Sequence, residues 1–191
     1  MSICVIRARR ALVAAGAAVT LAAGLATIPA VPAGATPGSP SIRYGPSSWL
    51  TNKASGLTAF VNAPTCHEHS CLNGSPIGLG TDRSTFQAAF QETGNSFEIR
   101  WWGDRCLDAS AADNNARVLL QSCEGDSSQL WQKVDLGNGG VGLLNVQSGR
   151  CLDSPNGRFP NPPLPSEALQ IFDCARSGQP WRVNQIWDFD T

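Results

Sequence analysis

The chain has 191 residues, 42% hydrophobic and only 15% charged, with 14 Lys/Arg against 15 Asp/Glu. With two lysines and no basic cluster it has no surface to track a phosphate backbone, which argues against nucleic acid as a partner.

The first element reads as a targeting signal. Arg7, Arg9 and Arg10 precede an Ala/Val/Leu-rich stretch from Ala11 to about Ala26, and Ala33-Gly34-Ala35 offers an A-x-A cleavage site. Gly16, Gly24 and Pro29 interrupt the apolar stretch, so the segment 1–35 reads as an export signal, and the mature chain is expected to be extracellular with no membrane span. Cleavage after Ala35 leaves 156 residues with 11 basic and 15 acidic groups, a net charge of −4 and a length that suits one domain. Residues 36–46 read as a linker and 47–191 as the folded unit.

Of seven cysteines, Cys4 leaves with the signal. Cys66, Cys71, Cys106, Cys123, Cys151 and Cys174 remain, an even number that in an exported chain reads as disulfides, with fifteen pairings open. Two of them flank His67-Glu68-His69, where zinc is the alternative reading; the spacing fits no usual finger pattern, and no metal is expected.

The middle and the end of the chain repeat one another. Arg105-Cys106-Leu107-Asp108, then Val118–Cys123, then Gln129-Leu130-Trp131 is echoed by Arg150-Cys151-Leu152-Asp153, Leu169–Cys174 and Gln185-Ile186-Trp187. The first cysteines of the two copies stand 45 residues apart and the Q-x-W triplets 56 apart. The 11 extra residues fall in a Pro-rich stretch 159–165 and around Gly178–Arg182, a composition suited to surface loops. A decayed first copy aligns Ser55–Phe60 with Ser148–Asp153 and puts Ala88-Ala89-Phe90 in the Q-x-W place. A period near 45 demands a repeat architecture. Within it, Phe97–Trp101, Val118–Gln121, Leu143–Val146 and Leu169–Phe172 read as short strands between Gly, Asn, Asp and Pro turns, with no sustained helical period.

The succession of C-L-D, an apolar run ending in Cys, and Q-x-W resembles the ricin B-chain type β-trefoil lectins. The resemblance implies an all-β trefoil of three repeats (about 47–92, 93–137 and 138–191) with pseudo-threefold symmetry, stabilised by disulfides. It implies Trp131, Trp187 and Phe90 as core aromatics. It also implies bridges Cys106–Cys123 and Cys151–Cys174, with Cys66–Cys71 as the third pair. On the chain-entropy account, bridges closing about 17 and 23 residues stabilise by roughly 3 kcal/mol each.

A sugar site needs carboxylate and amide groups for hydroxyl pairs and an aromatic face for ring C–H groups. The resemblance places such a carbohydrate-binding set in the third repeat, at Asp153, Gln170, Phe172, Asn184 and Gln185. A weaker second site keeps Asp108 and Gln129 but has Leu119, Gln121 and Ser128 where Gln, an aromatic and Asn are expected. In the first repeat Phe60 replaces the Asp. Three alternatives stand beside these assignments. The Asp residues could cap turns, Gln185 could brace its loop, and Ile171 rather than Phe172 could face the ligand. No nucleophile elbow or zincin motif appears, so neither catalysis nor a cofactor is expected. The expected partner is a galactose-type or related glycan. The rival is a protein-binding trefoil, a toxin-like attachment subunit or an inhibitor, using the 159–165 loop and exposed Trp49 and Trp181.

Overall fold

The computed structural model describes residues 42–61, 73–82, 84–91, 94–101, 104–157, 161, 163 and 167–189, with the backbone alone at 85, 90 and 91. The segment read as an export signal, and the Cys66 and Cys71 expected to pair, lie outside the described residues.

The described residues form thirteen strands and two short 3-10 turns. The strands are β1 (Ile42–Trp49), β2 (Thr51–Asn52), β3 (Thr58–Val61), β4 (Ser75–Gly80), β5 (Thr85–Gln91), β6 (Phe97–Trp101) and β7 (Arg105–Ala109). They continue with β8 (Val118–Ser122), β9 (Leu130–Asp135), β10 (Val141–Asn145), β11 (Cys151–Asp153), β12 (Gln170–Phe172) and β13 (Trp187–Asp188). The turns are Ser127–Gln129 and Pro180–Asn184. Each expected strand is present within a residue or two.

Every strand pairing among the described residues is antiparallel, and the pairings repeat three times. The hairpins β3/β4, β7/β8 and β11/β12 carry the repeated motif. The closing strand of each repeat pairs with the opening strand of the next, as β5 with β6, β9 with β10, and β13 with β2. That last pair shuts the ring, and the fold is an all-β trefoil. Strand β1 begins at Ile42, inside the stretch read as linker, and lies along β5 with a register shift between Tyr44 and Ser47, where Pro46 has no N–H to give the ladder.

The core follows strand alternation. Leu107 and Leu152 of the two C-L-D strands and Ala59 at the matching place of the first repeat are fully buried. So are Ile99, Leu120 and Ile171. The aromatics of Q-x-W sit among them, with Trp131 at 0% and Trp187 at 3% exposure. Each indole N–H donates to the carbonyl of the Leu in its own C-L-D, Trp131 to Leu107 at 3.1 Å and Trp187 to Leu152 at 2.9 Å. The Phe90 side chain, expected in the core, is outside the described residues; among those described, Phe86 of β5 is the fully buried aromatic of the first repeat. Gln87 pairs with Arg100, so Phe86 falls level with Trp101, at the inward end of β5.

A buried asparagine knot also repeats. Asn145 Nδ2 donates to the Ser128 carbonyl at 2.7 Å, while its Oδ1 accepts from the Ser148 N–H and hydroxyl. Asn52 does the same with the Val183 carbonyl at 2.9 Å and with Ser55. In both, the glycine after the serine (Gly149, φ 65°; Gly56, φ 68°) takes the left-handed conformation that lets the turn close. Disulfides Cys106–Cys123 and Cys151–Cys174 pin two of the hairpins, as the resemblance implied.

Candidate ligand site

Strands β11 and β12 set out the third-repeat site. Their register pairs Leu152 with Ile171, Asp153 with Gln170 and Cys151 with Phe172. Leu152 and Ile171 fill the core at 0% exposure, so alternation turns Asp153, Gln170 and Phe172 the other way, and Phe172 is half-buried on a cleft wall. Gln170 Nε2 donates to Asp153 Oδ2 at 2.8 Å, which uses one oxygen of the carboxylate and fixes its plane.

The cleft, about 520 Å³, is lined by these three residues with Asn184, Trp181, Asn115 and the Pro155-Asn156-Gly157 turn. That volume lies within the usual range for ligand pockets. Asn115 comes from the second repeat, and its N–H donates to the Ile171 carbonyl at 2.9 Å. Beside it, Asn114 Oδ1 accepts from the Asp173 N–H at 2.9 Å and from Arg150 Nε at 2.7 Å, so two repeats are knitted together under the site. The turn Pro180–Asn184 supplies the opposite wall. Arg182 anchors it by donating to the Leu136 carbonyl at 3.0 Å and to the Gly137 carbonyl. The Ser154 N–H donates to the Asn184 carbonyl at 3.1 Å, joining the end of that turn to the residue after Asp153. At Gly157 a side chain has no room: an added Cβ would run into Asn184 Oδ1 and approach Pro163 to 2.8 Å.

Among the described residues, four buried side-chain polar atoms have no hydrogen-bond partner: Asp153 Oδ1, Asn184 Oδ1, Trp181 Nε1 and Ser154 Oγ. Three belong to residues lining the cleft, and the fourth follows Asp153 in the chain. Unmet buried polar groups cost about 1–3 kcal/mol each, so their gathering in one place calls for a reason. Burial pushes the Asp153 carboxyl above its ordinary pKa, and the neighbouring polar side chains of Gln170, Gln185 and Asn184 oppose that shift.

Gln185 differs from the rest of the expected set. It is fully buried behind Asp153, its Oε1 accepts from the Ala175 N–H at 2.7 Å and its Nε2 donates to the Asp173 carbonyl at 3.1 Å. It clamps the chain on both sides of Cys174 and holds Asp153, and it does not line the cleft. Gln129 repeats this clamp around Cys123, with Glu124 N–H and Ser122 carbonyl as partners at 2.8 Å each.

The second-repeat set is arranged differently. Asp108 stands opposite Leu119, and Gln121 opposite Cys106, where the third repeat has Gln170 and Phe172. Asp108 Oδ2 already accepts from Gln129 Nε2 at 2.9 Å and from the Ser128 hydroxyl at 3.2 Å. In the first repeat Thr58 pairs with Gly80, and the Phe60 ring lies so close that a Cβ at Gly80 would come within 2.8 Å of it. An apolar ring fills the place of the carboxylate.

Trp181 is the residue that sequence reasoning misplaced. Read as an exposed partner contact, it is instead part of the cleft wall with its indole nitrogen buried; Trp49 is exposed, at 46%. The available signal was that the insertion carrying it occurs only in the repeat with the complete polar set. Among the described residues, no group of three His, Cys, Asp or Glu is placed to hold a metal ion.

The comparisons with known proteins agree with this architecture. Residues 83–161 match the family described as ricin-type β-trefoil lectin domain-like. No curated protein matches the chain. Among solved structures, the designed threefold-symmetric protein ThreeFoil superposes with a TM-score of 0.58 at 21% identity, covering 78% of this chain and 98% of its own. The Polyporus squamosus lectin bound to the epitope Neu5Aca2-6Galb1-4GlcNAc gives 0.53 at 12%, covering 78% of this chain and 48% of its own. A proteinase inhibitor from Coprinopsis cinerea gives 0.53 at 12%, covering 79% and 99%. At these identities the likeness is one of fold. Repeats, ring closure and these superpositions show an all-β trefoil fold, and residues 83–161 are similar to ricin-type β-trefoil lectin-like domains.

Proposed function

We propose that this protein is an exported carbohydrate-binding lectin without catalytic activity, with its main site in the third-repeat cleft and a galactose-type or related glycan as ligand. The carrying observation is the set of unpaired buried atoms on that cleft, Asp153 Oδ1, Asn184 Oδ1 and Trp181 Nε1, beside the open face of Phe172. A sugar supplies hydroxyls for the first three and C–H groups for the ring. Asp153, Gln170, Phe172 and Asn184 act on the ligand, with Gln185 holding Asp153 in place. Two disulfides suit the oxidising compartment to which a 1–35 signal would deliver the chain.

The test is a glycan array probed with the full chain passed through an oxidising export route, beside Asp153→Ala. A single site of this kind is expected to show Kd on the order of 1 mM, about 4 kcal/mol, so dense multivalent display is required. Binding by the parent and none by a folded Asp153→Ala supports the reading. Equal binding by both moves the site elsewhere, with Asp108 next.

One observation favours a second reading, a protein-binding trefoil. Of five large hydrophobics exposed among the described residues, three lie on β1: Ile42, Tyr44 and Trp49. Binding that free sugar fails to compete would select it.

A further inference from the structure

We propose that Trp181 is a specificity-determining residue of this site, donating its indole N–H to an acceptor oxygen of an uncharged, hydroxyl-bearing sugar whose own hydroxyls donate to Asp153 and Asn184. The inference rests on the glycan reading above and adds to it a residue outside the repeated motif and a charge class for the ligand.

The cleft leaves three polar atoms over. Asp153 Oδ1 and Asn184 Oδ1 can only accept, and Trp181 Nε1 can only donate. All three are buried without partners, on residues that line one cleft. A ligand that satisfies them brings at least two donors and one acceptor. Sugar hydroxyls bring both on each oxygen. A carboxylate or phosphate brings acceptors alone, and would set its charge beside Asp153 and leave two acceptors unmet.

The turn that carries Trp181 is also held fast. Trp181 sits inside the Pro180–Asn184 turn, which starts at a proline and is fastened by Arg182 to the Leu136 and Gly137 carbonyls. Its far end is fastened through Asn184 to Ser154 and through Val183 to Asn52. A tryptophan held at both ends of its turn is preorganised, which lowers the ordering cost of binding. The second repeat has only Ser127–Gln129 at the corresponding place, so this wall belongs to the third repeat alone.

The test uses ¹⁵N-labelled full-length protein titrated with D-galactose, N-acetyl-D-galactosamine, D-mannose and D-xylose, with D-galacturonic acid as the charged counterpart. The Trp181 indole resonance is assigned as the one missing from Trp181→Phe. The expected result is that an uncharged sugar shifts this resonance, that Trp181→Phe weakens binding by about three- to tenfold while keeping an aromatic ring, and that galacturonic acid binds more weakly than galactose. If Asp153→Ala abolishes binding while Trp181→Phe binds as the parent does and its indole resonance never moves, the Trp181 inference is overturned and the site stands. Galacturonic acid binding as tightly as galactose overturns the charge class. Binding indifferent to both substitutions, or no binding of any sugar, overturns the site and the inference together. Unchanged thermal melting of Trp181→Phe separates lost recognition from lost folding.

Discussion

The second and third repeats share a hairpin, a disulfide, a glutamine clamp and a tryptophan bonded to its own C-L-D leucine, yet their outer faces are built to opposite ends. In the second, Ser128 and Gln129 turn inward on Asp108. In the third, Gln170 takes one oxygen of Asp153 and the other is left buried and open. The difference lies in the inserted residues as much as in the motif. Pro163 packs against Gly157, Trp181 lines the same cleft as Phe172, and the Asp153 carboxylate is buried there with Oδ1 unpartnered. A shared frame carries stability in both repeats, and among the described residues only the third leaves buried polar side-chain atoms without partners.

Breaking the shared frame should have the largest effect. Trp131→Ala and Trp187→Ala each remove a buried aromatic and orphan a leucine carbonyl, and each is expected to cost about 3–5 kcal/mol in urea unfolding. A large gap between the two would show that the frame is not equally shared. Paired Cys→Ala replacement of Cys106–Cys123 or Cys151–Cys174 is expected to cost about 3.1 and 3.4 kcal/mol for closures of 17 and 23 residues. The near equality is the prediction, checked by chemical denaturation under non-reducing conditions.

The divergent faces are sharpened by Asp153→Asn and Asp108→Asn. Burial raises the folded-state pKa of Asp153, so the folded chain holds this proton more tightly than the unfolded one. This carboxyl therefore lowers stability as pH rises through the window between its ordinary value and the raised one. Asp153→Asn removes that penalty and is expected to melt at or above the parent's temperature at neutral pH while losing glycan binding. Parent binding should also fall on acidification at a pH above the ordinary Asp value, as Asp153 gains its proton. Asp108→Asn should leave binding unchanged. The smallest effect is expected from Leu119→Gln with Gln121→Phe and Ser128→Asn, which together restore the motif in the second repeat. Without the Pro163 and Trp181 walls, this variant should gain no measurable array signal.

The sequence made the motif legible because the motif is made of short-range pairings. Asp153 faces Gln170 across two adjacent strands, and the alternation that buries Ile171 turns out Phe172. Trp181 was illegible because it lies in an insertion with no counterpart to align, and a Trp beside Pro and Gly reads as a loop residue. Phe86 was missed because the first repeat has lost the glutamine that marks the triplet, leaving Phe90 as the more obvious aromatic. The asparagine knots were visible as Asn52-Lys53-Ala54-Ser55-Gly56 and Asn145-Val146-Gln147-Ser148-Gly149. Their role depends on carbonyls far away in the chain, which no local pattern reports.

The Asn52 knot bears on how the site comes into being. Its side chain reaches across 131 residues to the Val183 carbonyl, inside the turn that carries Trp181 and Asn184. The wall of the cleft is therefore tied to the opening strand of the first repeat. Contacts of such separation form late and slowly. During synthesis β11 and β12 can pair as soon as both have emerged, but the cleft waits for the last repeat to find the first. On the reading proposed above, competence to bind is a property of the closed ring, and a nascent chain carries the residues of the site before it has the site.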